Sequence, residues 1–265
     1  MKKTLLFLAC ALVFALHASG QFIDYPAGYD GKPEARLKGP VHTVLTIEQR
    51  EEHVFATTVE TYDEKGRLIE SLSSNANTEV HSGQLVRLGG KTTYIFDSSG
   101  RAIRRSHFDP EGDLTGYDTK TYDKEGRLIE ESLFDKDGKD RGYTRYTYAS
   151  DKREVELTWL FRFPNTRDSP MRSILTYDEK GRWTSRKMFL SGNDVVKFEY
   201  DGDGNFVKEI HSGFGNTYKY KFDKYGNWIE RINSYFQDDG KSESPNWMNE
   251  YRIITYYPEQ KVGAK

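Results

Sequence analysis

Two short acidic strings are the first candidates for chemistry. Asp201–Asn205 reads DGDGN, and Asp135–Asp140 reads DKDGKD. Both set carboxylate oxygens beside a glycine, as a calcium loop does. An EF-type loop wants acidic oxygens at positions 1, 3 and 5, glycine at 6 and a later bidentate Glu. Here glycine comes at position 4 and no such Glu follows in frame, so neither a metal nor another cofactor is expected. Beyond the N-terminal run the histidines are His42, His53, His81, His107 and His211, scattered without the close spacing of a zinc pair. Neither HExxH nor G-x-S-x-G occurs. Glu51-Glu52 and Glu130-Glu131 are adjacent pairs. Neighbours on a strand point to opposite faces, so neither pair can serve as acid and base on one substrate. The expectation is a non-enzymatic chain.

The aromatics are the better candidates for binding. Trp159, Trp247, Tyr218 and Tyr220 could stack on sugar rings or on a partner surface. Trp183 and Trp228 read instead as core, because each faces a Tyr or Phe across a repeated turn. Trp247 lies in KSESPNWMNEY, outside the repeat, where Pro245 and Asn246 suggest a loop.

The elements that must position these residues are written in a repeat. The pattern [Tyr/Phe]-Asp-x-x-Gly-[Arg/Asn] begins at Tyr62, Phe96, Tyr122, Tyr177, Tyr200 and Phe222. Its turn residues are Asp63 and Gly66, Asp97 and Gly100, Asp123 and Gly126, Asp178 and Gly181, Asp201 and Gly204, and Asp223 and Gly226. Weaker copies start at Phe108, Phe134 and Phe236. Asp opens a type I turn by accepting backbone hydrogen bonds, and Gly closes it in the left-handed conformation as a G1 bulge. The two middle positions vary freely, as a joint allows and a catalytic loop seldom does.

Register follows from the turn. Asp63, Asp97, Asp123 and Asp178 should face Arg67, Arg101, Arg127 and Arg182. One step out, Tyr62 should face Leu68, Phe96 Ala102, Tyr122 Leu128, Tyr177 Trp183, Tyr200 Phe206 and Phe222 Trp228. The other face should pair Thr61 with Ile69 and Thr121 with Ile129. Glu154–Phe163 and Thr217–Phe222 alternate as strands do. No amphipathic helix is legible after the N-terminal run. The chain therefore reads as an all-β antiparallel meander of repeated hairpins, with about fourteen strands that must curl, split or close. Two stretches break the period, Ser71–Lys91 and Phe163–Arg172, and insertions in repeats often carry individual function.

The six copies resemble the YD repeat of RHS-type proteins, over roughly Val41 to Pro258. The resemblance implies a curved or coiled sheet and a binding role at the cell surface, often toward carbohydrate. It does not extend to the self-cleavage motif or the toxin domain of the long members.

Residues 1–20 read as a secretory signal peptide and an expected signal helix: Lys2-Lys3, an apolar run from Thr4 to Leu16, then Ala18-Ser19-Gly20 before Gln21. The apolar run is shorter than the roughly 20 residues of a spanning helix. Residues 21–40 would be a lead segment, 41–258 the repeat domain and 259–265 a tail. The single cysteine, Cys10, lies in the apolar run, so the mature chain is expected to be held without disulfides. Without Lys2 and Lys3 the chain has 37 basic against 41 acidic residues, finely mixed. That gives no footprint for nucleic acid and no polybasic membrane patch. The expected protein is exported, to the periplasm, the cell surface or the medium, with no membrane span in the mature chain. Its partner would be a cell-envelope glycan or another exported protein, the latter through the edges of its sheet.

Overall fold

A computed structural model describes residues 37–51, 53–75, 89–150, 153–162, 169–189, 195–237 and 242–258. The expected signal peptide, the lead segment up to residue 36 and the tail lie outside these residues. So do most of both insertions. Sixteen strands follow one another: β1 (Val41–Arg50), β2 (His53–Tyr62), β3 (Leu68–Asn75), β4 (Lys91–Phe96), β5 (Ala102–Phe108), β6 (Leu114–Tyr122), β7 (Leu128–Asp135) and β8 (Asp140–Tyr148). The second half is β9 (Glu154–Phe161), β10 (Met171–Tyr177), β11 (Trp183–Met188), β12 (Val195–Tyr200), β13 (Phe206–Ile210), β14 (Phe214–Phe222), β15 (Trp228–Gln237) and β16 (Ser242–Tyr256). Each pairs antiparallel with its neighbours in the chain.

The turn chemistry builds these hairpins as its residues dictate. In the first copy the Asp63 amide donates to the Arg67 carbonyl at 2.9 Å, and the Gly66 amide to the Asp63 carbonyl at 2.8 Å. Asp63 Oδ1 accepts from the amides of Lys65 and Arg67, and its Oδ2 from Arg67 Nε at 2.7 Å. Gly66 has φ 73° and Gly126 φ 81°, the left-handed region the bulge requires. All six expected cross-turn pairs form: Tyr62↔Leu68, Phe96↔Ala102, Tyr122↔Leu128, Tyr177↔Trp183, Tyr200↔Phe206 and Phe222↔Trp228. The bulge then absorbs one residue, so Thr61 faces Glu70 and Thr121 faces Glu130. Ile69 and Ile129 are the bulged residues, which corrects the pairs expected for them.

The expected curved or coiled sheet is corrected at the seam. Strands β1 and β16 pair from Val41↔Tyr256 to Gln49↔Asn249, and the sheet is a closed sixteen-strand barrel with no helix among the described residues. Closure satisfies the backbone groups that two free edges would leave unpaired. It also overturns the expectation of no membrane span, which weighed helices only. Among the described residues no helix is long and apolar enough to cross a bilayer, but a closed barrel is the other architecture that satisfies every backbone group and crosses with strands.

Alternation divides the wall. Inward positions at mid-height are buried: Leu157, Ser173, Glu131, Asp118, Tyr218 and Arg231 are each at most 3% exposed. On β8 to β14 this inner wall is apolar and aromatic, with one cluster around Val155, Leu157, Trp159 and Leu175 and another around Val196, Phe198, Phe206 and Tyr218. On β5 to β8 it is ionic. Arg105 Nε donates to Asp118 Oδ1 at 2.7 Å, Lys120 pairs with Glu131, and the Tyr146 hydroxyl donates to Glu131 Oε2 at 2.8 Å. The outward face carries Lys197, Glu199 and Lys219, together with cross-strand pairs such as Arg145–Glu130 at 2.7 Å and Lys221–Glu230 at 2.6 Å.

Candidate ligand-binding site

Because consecutive strands reverse, the barrel sorts its turns. All six strong copies fall on one rim, while the weak copies and the chain between β3 and β4 and between β9 and β10 fall on the other. On the first rim the turns stack side by side. Each Arg that is tied to its own Asp also lies over the ring that opens the next turn. Arg67 sits 4.7 Å above Phe96, Arg101 4.8 Å above Tyr122, Arg127 4.8 Å above Tyr148 and Arg182 4.6 Å above Tyr200. The next tyrosine hydroxyl then reaches back to the earlier hairpin: Tyr122 to the Ala102 carbonyl at 2.7 Å, and Tyr148 to the Leu128 carbonyl at 2.8 Å. Each such stack is worth about 0.5–1 kcal/mol at an exposed site.

The series fails at the turn between β8 and β9, the fourth of seven on this rim. The string there is Tyr148-Ala-Ser-Asp-Lys-Arg-Glu-Val155. Ala149 stands where Asp should open the turn, and Lys152 where Gly should close it. The turn is also one residue longer, since Tyr148 pairs with Val155, seven residues on, whereas Tyr62 pairs with Leu68, six on. Ala149 offers Arg153 no carboxylate. The Arg153 side chain is 58% exposed and pairs with Glu179 Oε1 at 3.1 Å, while the Arg153 carbonyl accepts from the Tyr177 amide at 2.7 Å.

A cleft of about 640 Å³ opens at this break. Arg127, Tyr148, Arg153, Val155, Tyr177, Asp178, Glu179 and Gly181 line it. Two phenol rings and two guanidinium groups thus converge at one mouth of the barrel. Burial pushes the Tyr177 hydroxyl up to about 12, so it stays protonated and can donate. The neighbouring Asp178 is held low, first by the hydrogen bond from the Arg182 amide and then by the Arg182 side chain.

The aromatics singled out from the sequence fall elsewhere. Trp159 is 6% exposed and packs within the β9–β10 cluster. Tyr218 is 3% exposed, and its hydroxyl donates to Glu209 Oε2 at 3.2 Å. Burial raises its pKa. Tyr220 is half-buried and donates to the Phe206 carbonyl at 2.5 Å. Trp247 lies in β16 rather than in a loop, within the irregular stretch between the pairs Asn233↔Met248 and Tyr235↔Ser244. Its side chain is outside the described residues. Strands β9 and β16 stand seven steps apart round the ring, so Trp159 and Trp247 are not brought together.

Sequence reasoning missed Tyr148, Arg153 and Glu179. The signal was present as a degenerate repeat midway between the copies at Tyr122 and Tyr177. The two acidic strings are ordinary turns: Gly138 and Gly204 close them with φ 79° and 88°. Among the described residues, no group of three or more His, Cys, Asp or Glu could hold a metal ion.

The carboxylates share one trend. Asp63, Asp97, Asp118, Asp123, Glu130, Asp135, Asp178, Asp201 and Asp223 are all held below the ordinary carboxylate range. For Asp118 burial pushes up, but the hydrogen bond to His107 at 3.1 Å and the Arg105 guanidinium outweigh it.

Neither the protein-family models nor the curated proteins contain a match to this chain. Among solved structures, a porin-like protein from Bacteroides uniformis is 14% identical, with a TM-score of 0.42 over 83% of this chain and 99% of its own. A chain of the TcdB2-TccC3-Cdc42 complex is 12% identical, with a TM-score of 0.31 over 71% of this chain but only 13% of its own. Both TM-scores are low, and the barrel is defined by its own strand pairing.

Proposed function

We propose that this chain is an exported, non-enzymatic binding protein that takes a cell-envelope glycan in the cleft beside Tyr148 and Tyr177. The observation that carries this reading is the coincidence of the cleft with the break in the repeat. On that rim Arg67, Arg101, Arg127 and Arg182 each lie over the ring that opens the next turn. At the break Arg153 pairs with Glu179 instead, and a cleft lined by Tyr148, Tyr177, Arg127 and Arg153 opens there. Sugars fit that chemistry, with apolar ring faces for aromatics and hydroxyls for charged hydrogen-bonding groups. In this reading the chain is a small relative of the YD-repeat proteins whose sheet has closed on itself.

Two other readings have less support. A scaffold pairing through sheet edges needs a free edge, and the closed ring offers none among the described strands. A glycosidase needs a carboxylic acid whose pKa is raised so that it can protonate the leaving group. The carboxyl shifts described above all run the other way, which supports a binding role.

The test is a glycan array and a cell-wall pull-down with the full chain. Retention that the Tyr148→Ala variant loses, with its circular dichroism unchanged, is the expected result. An array with no retained glycan and an empty pull-down would sink the reading.

A further inference from the structure

Charges that are finely mixed along the sequence are sorted by the wall of the barrel. On β11 to β14 neighbouring residues leave on opposite faces, as strand geometry requires. Arg186 points inward, since it pairs in register with Leu175 and Val196 of the core. Glu209 also points inward, where it accepts from the Tyr218 hydroxyl. Their neighbours Lys187 and Lys208 therefore point outward, as do Lys197 and Lys219 beside the buried Phe198 and Tyr218. Each of four successive strands thus sets one lysine on the outer face.

Register puts the four in a row. Lys187 faces Val195, two residues before Lys197. Lys197 faces Ile210, two residues after Lys208, and Lys208 faces Thr217, two residues before Lys219. Each lysine is a diagonal neighbour of the next, about 7–8 Å away across the ladder. The Lys187 and Lys208 ammonium groups lie 5.0 Å over the Phe189 and Phe236 rings, which hold their stems along the wall. Arg145, Arg172 and Lys221, on the same outer face, are paired with Glu130, Glu156 and Glu230. Among the described residues none of the four lysines has a carboxylate partner, although Glu199 faces Lys208 in register.

We propose that this row is a docking track for an anionic polysaccharide, whose charged groups lie along the four lysines. The surplus of positive charge sets the sign of the ligand, and the line of spaced charges sets its shape, a linear polymer. The row crosses four of the sixteen strands of a closed wall, so it follows a curve. A flexible polymer can follow that curve, whereas a flat bilayer cannot meet all four lysines at once. The row shares no residue with the cleft beside Tyr148, so it goes beyond the reading above and stands or falls apart from it.

The experiment is isothermal titration of the full chain with polygalacturonate, with dextran as the neutral polymer and phosphatidylglycerol vesicles as the anionic surface. Polygalacturonate should bind, and dextran and the vesicles should not. Affinity should fall as salt is raised, because exposed charges are screened. One exposed charge contact is worth a few-fold in affinity at most, so Lys197→Gln with Lys219→Gln should bind about tenfold more weakly. Lys136→Gln with Lys139→Gln removes the same charge from the turn between β7 and β8 and should leave affinity within about twofold. All four of these side chains are exposed, so circular dichroism of both variants should match the parent. Tyr148→Ala should bind polygalacturonate as the parent does. Equal loss in the two double variants would overturn the row, because net charge alone would then set binding. So would dextran or vesicles binding as tightly as polygalacturonate, loss of binding in Tyr148→Ala, or no binding to any probe. A row that fails leaves the cleft to its own array test.

Discussion

At the scale of single residues, the turn aspartates control how stability depends on pH. Asp97 and Asp178 are held low, first by the amide of the arginine four residues on and also by that arginine's guanidinium. A carboxyl whose folded pKa lies below its unfolded value, about 3.9, adds stability above that value. It loses that stability as pH falls through the depressed folded value. Urea unfolding should therefore give a flat midpoint from neutral pH to about 5 and a falling one below about 4. Asp97→Asn and Asp178→Asn should each flatten the fall. An unchanged midpoint down to the acid limit would contradict this account. Glycines divide in a similar way. Gly66 has nothing within 4 Å of where a Cβ would stand, so Gly66→Ala carries only the left-handed φ penalty, about 1–2 kcal/mol. At Gly142 a Cβ would meet the Leu160 carbonyl oxygen at 1.9 Å. Gly142→Ala should therefore add an overpacking cost of about 1–3 kcal/mol. Thermal unfolding of the two variants side by side checks the order.

At the scale of elements, the hairpin is legible in the sequence and its departures are not. Asp, Gly and the flanking aromatics interact within a few residues, so Tyr62–Leu68 and its five counterparts can be read from the string alone. The bulge shifts Ile69 and Ile129 by one position because a G1 bulge consumes a residue on one strand only. Pro245 suggests a loop at Trp247, yet the ladder runs past Pro245 as an irregularity of β16. The sixth copy shows what the Arg-to-Asn change does. Asn227 Nδ2 donates to the Lys38 carbonyl at 2.7 Å and to the Tyr256 hydroxyl at 2.8 Å, and Asn227 Oδ1 accepts from the Lys38 amide at 2.6 Å. Tyr225, at a position that varies freely in other copies, lies against Tyr256 at 4.3 Å and against Gly39. This turn has no following hairpin to stack on, so it clasps the segment that leads into β1. Asn227→Arg restores the repeat but should release the clasp. Amide exchange at Lys38 and Val41 should then quicken while exchange at the first turn, near Gly66, stays slow. Equal protection in variant and parent would contradict the assignment.

At the scale of the whole molecule, closure leaves no trace in the local pattern. Thr43 and Thr255 are 212 residues apart in sequence, yet their hydroxyls lie 2.5 Å apart and their strands seal the ring. No turn residue announces such a pair. It follows from sixteen twisted strands bringing two edges together. The sole cysteine, Cys10, lies outside the described barrel, which makes the seam testable. Thr43→Cys combined with Thr255→Cys should form an intramolecular disulfide in folded protein under mild oxidation. An open sheet would leave both thiols free. The outer face sets a condition on any placement in a bilayer. Lys197, Lys219 and their neighbours would each cost about 2–4 kcal/mol at the midplane of a lipid-facing band, and less toward the headgroups.

The proposed binding cleft depends on all three scales: a missing Asp and Gly, a turn one residue too long, and a rim on which four arginines lie over the ring of the next turn. The most direct test is to repair the repeat. Replacing Ala149–Glu154 with the five residues of Asp63–Arg67 restores the turn length and gives its arginine an aspartate to hold and Tyr177 to cover. The repaired protein should unfold at the same temperature as the parent or higher, and should bind the glycan that the parent retains on the array at least about tenfold more weakly. A repaired protein that folds and binds as tightly as the parent would show that the break in the repeat is not the site.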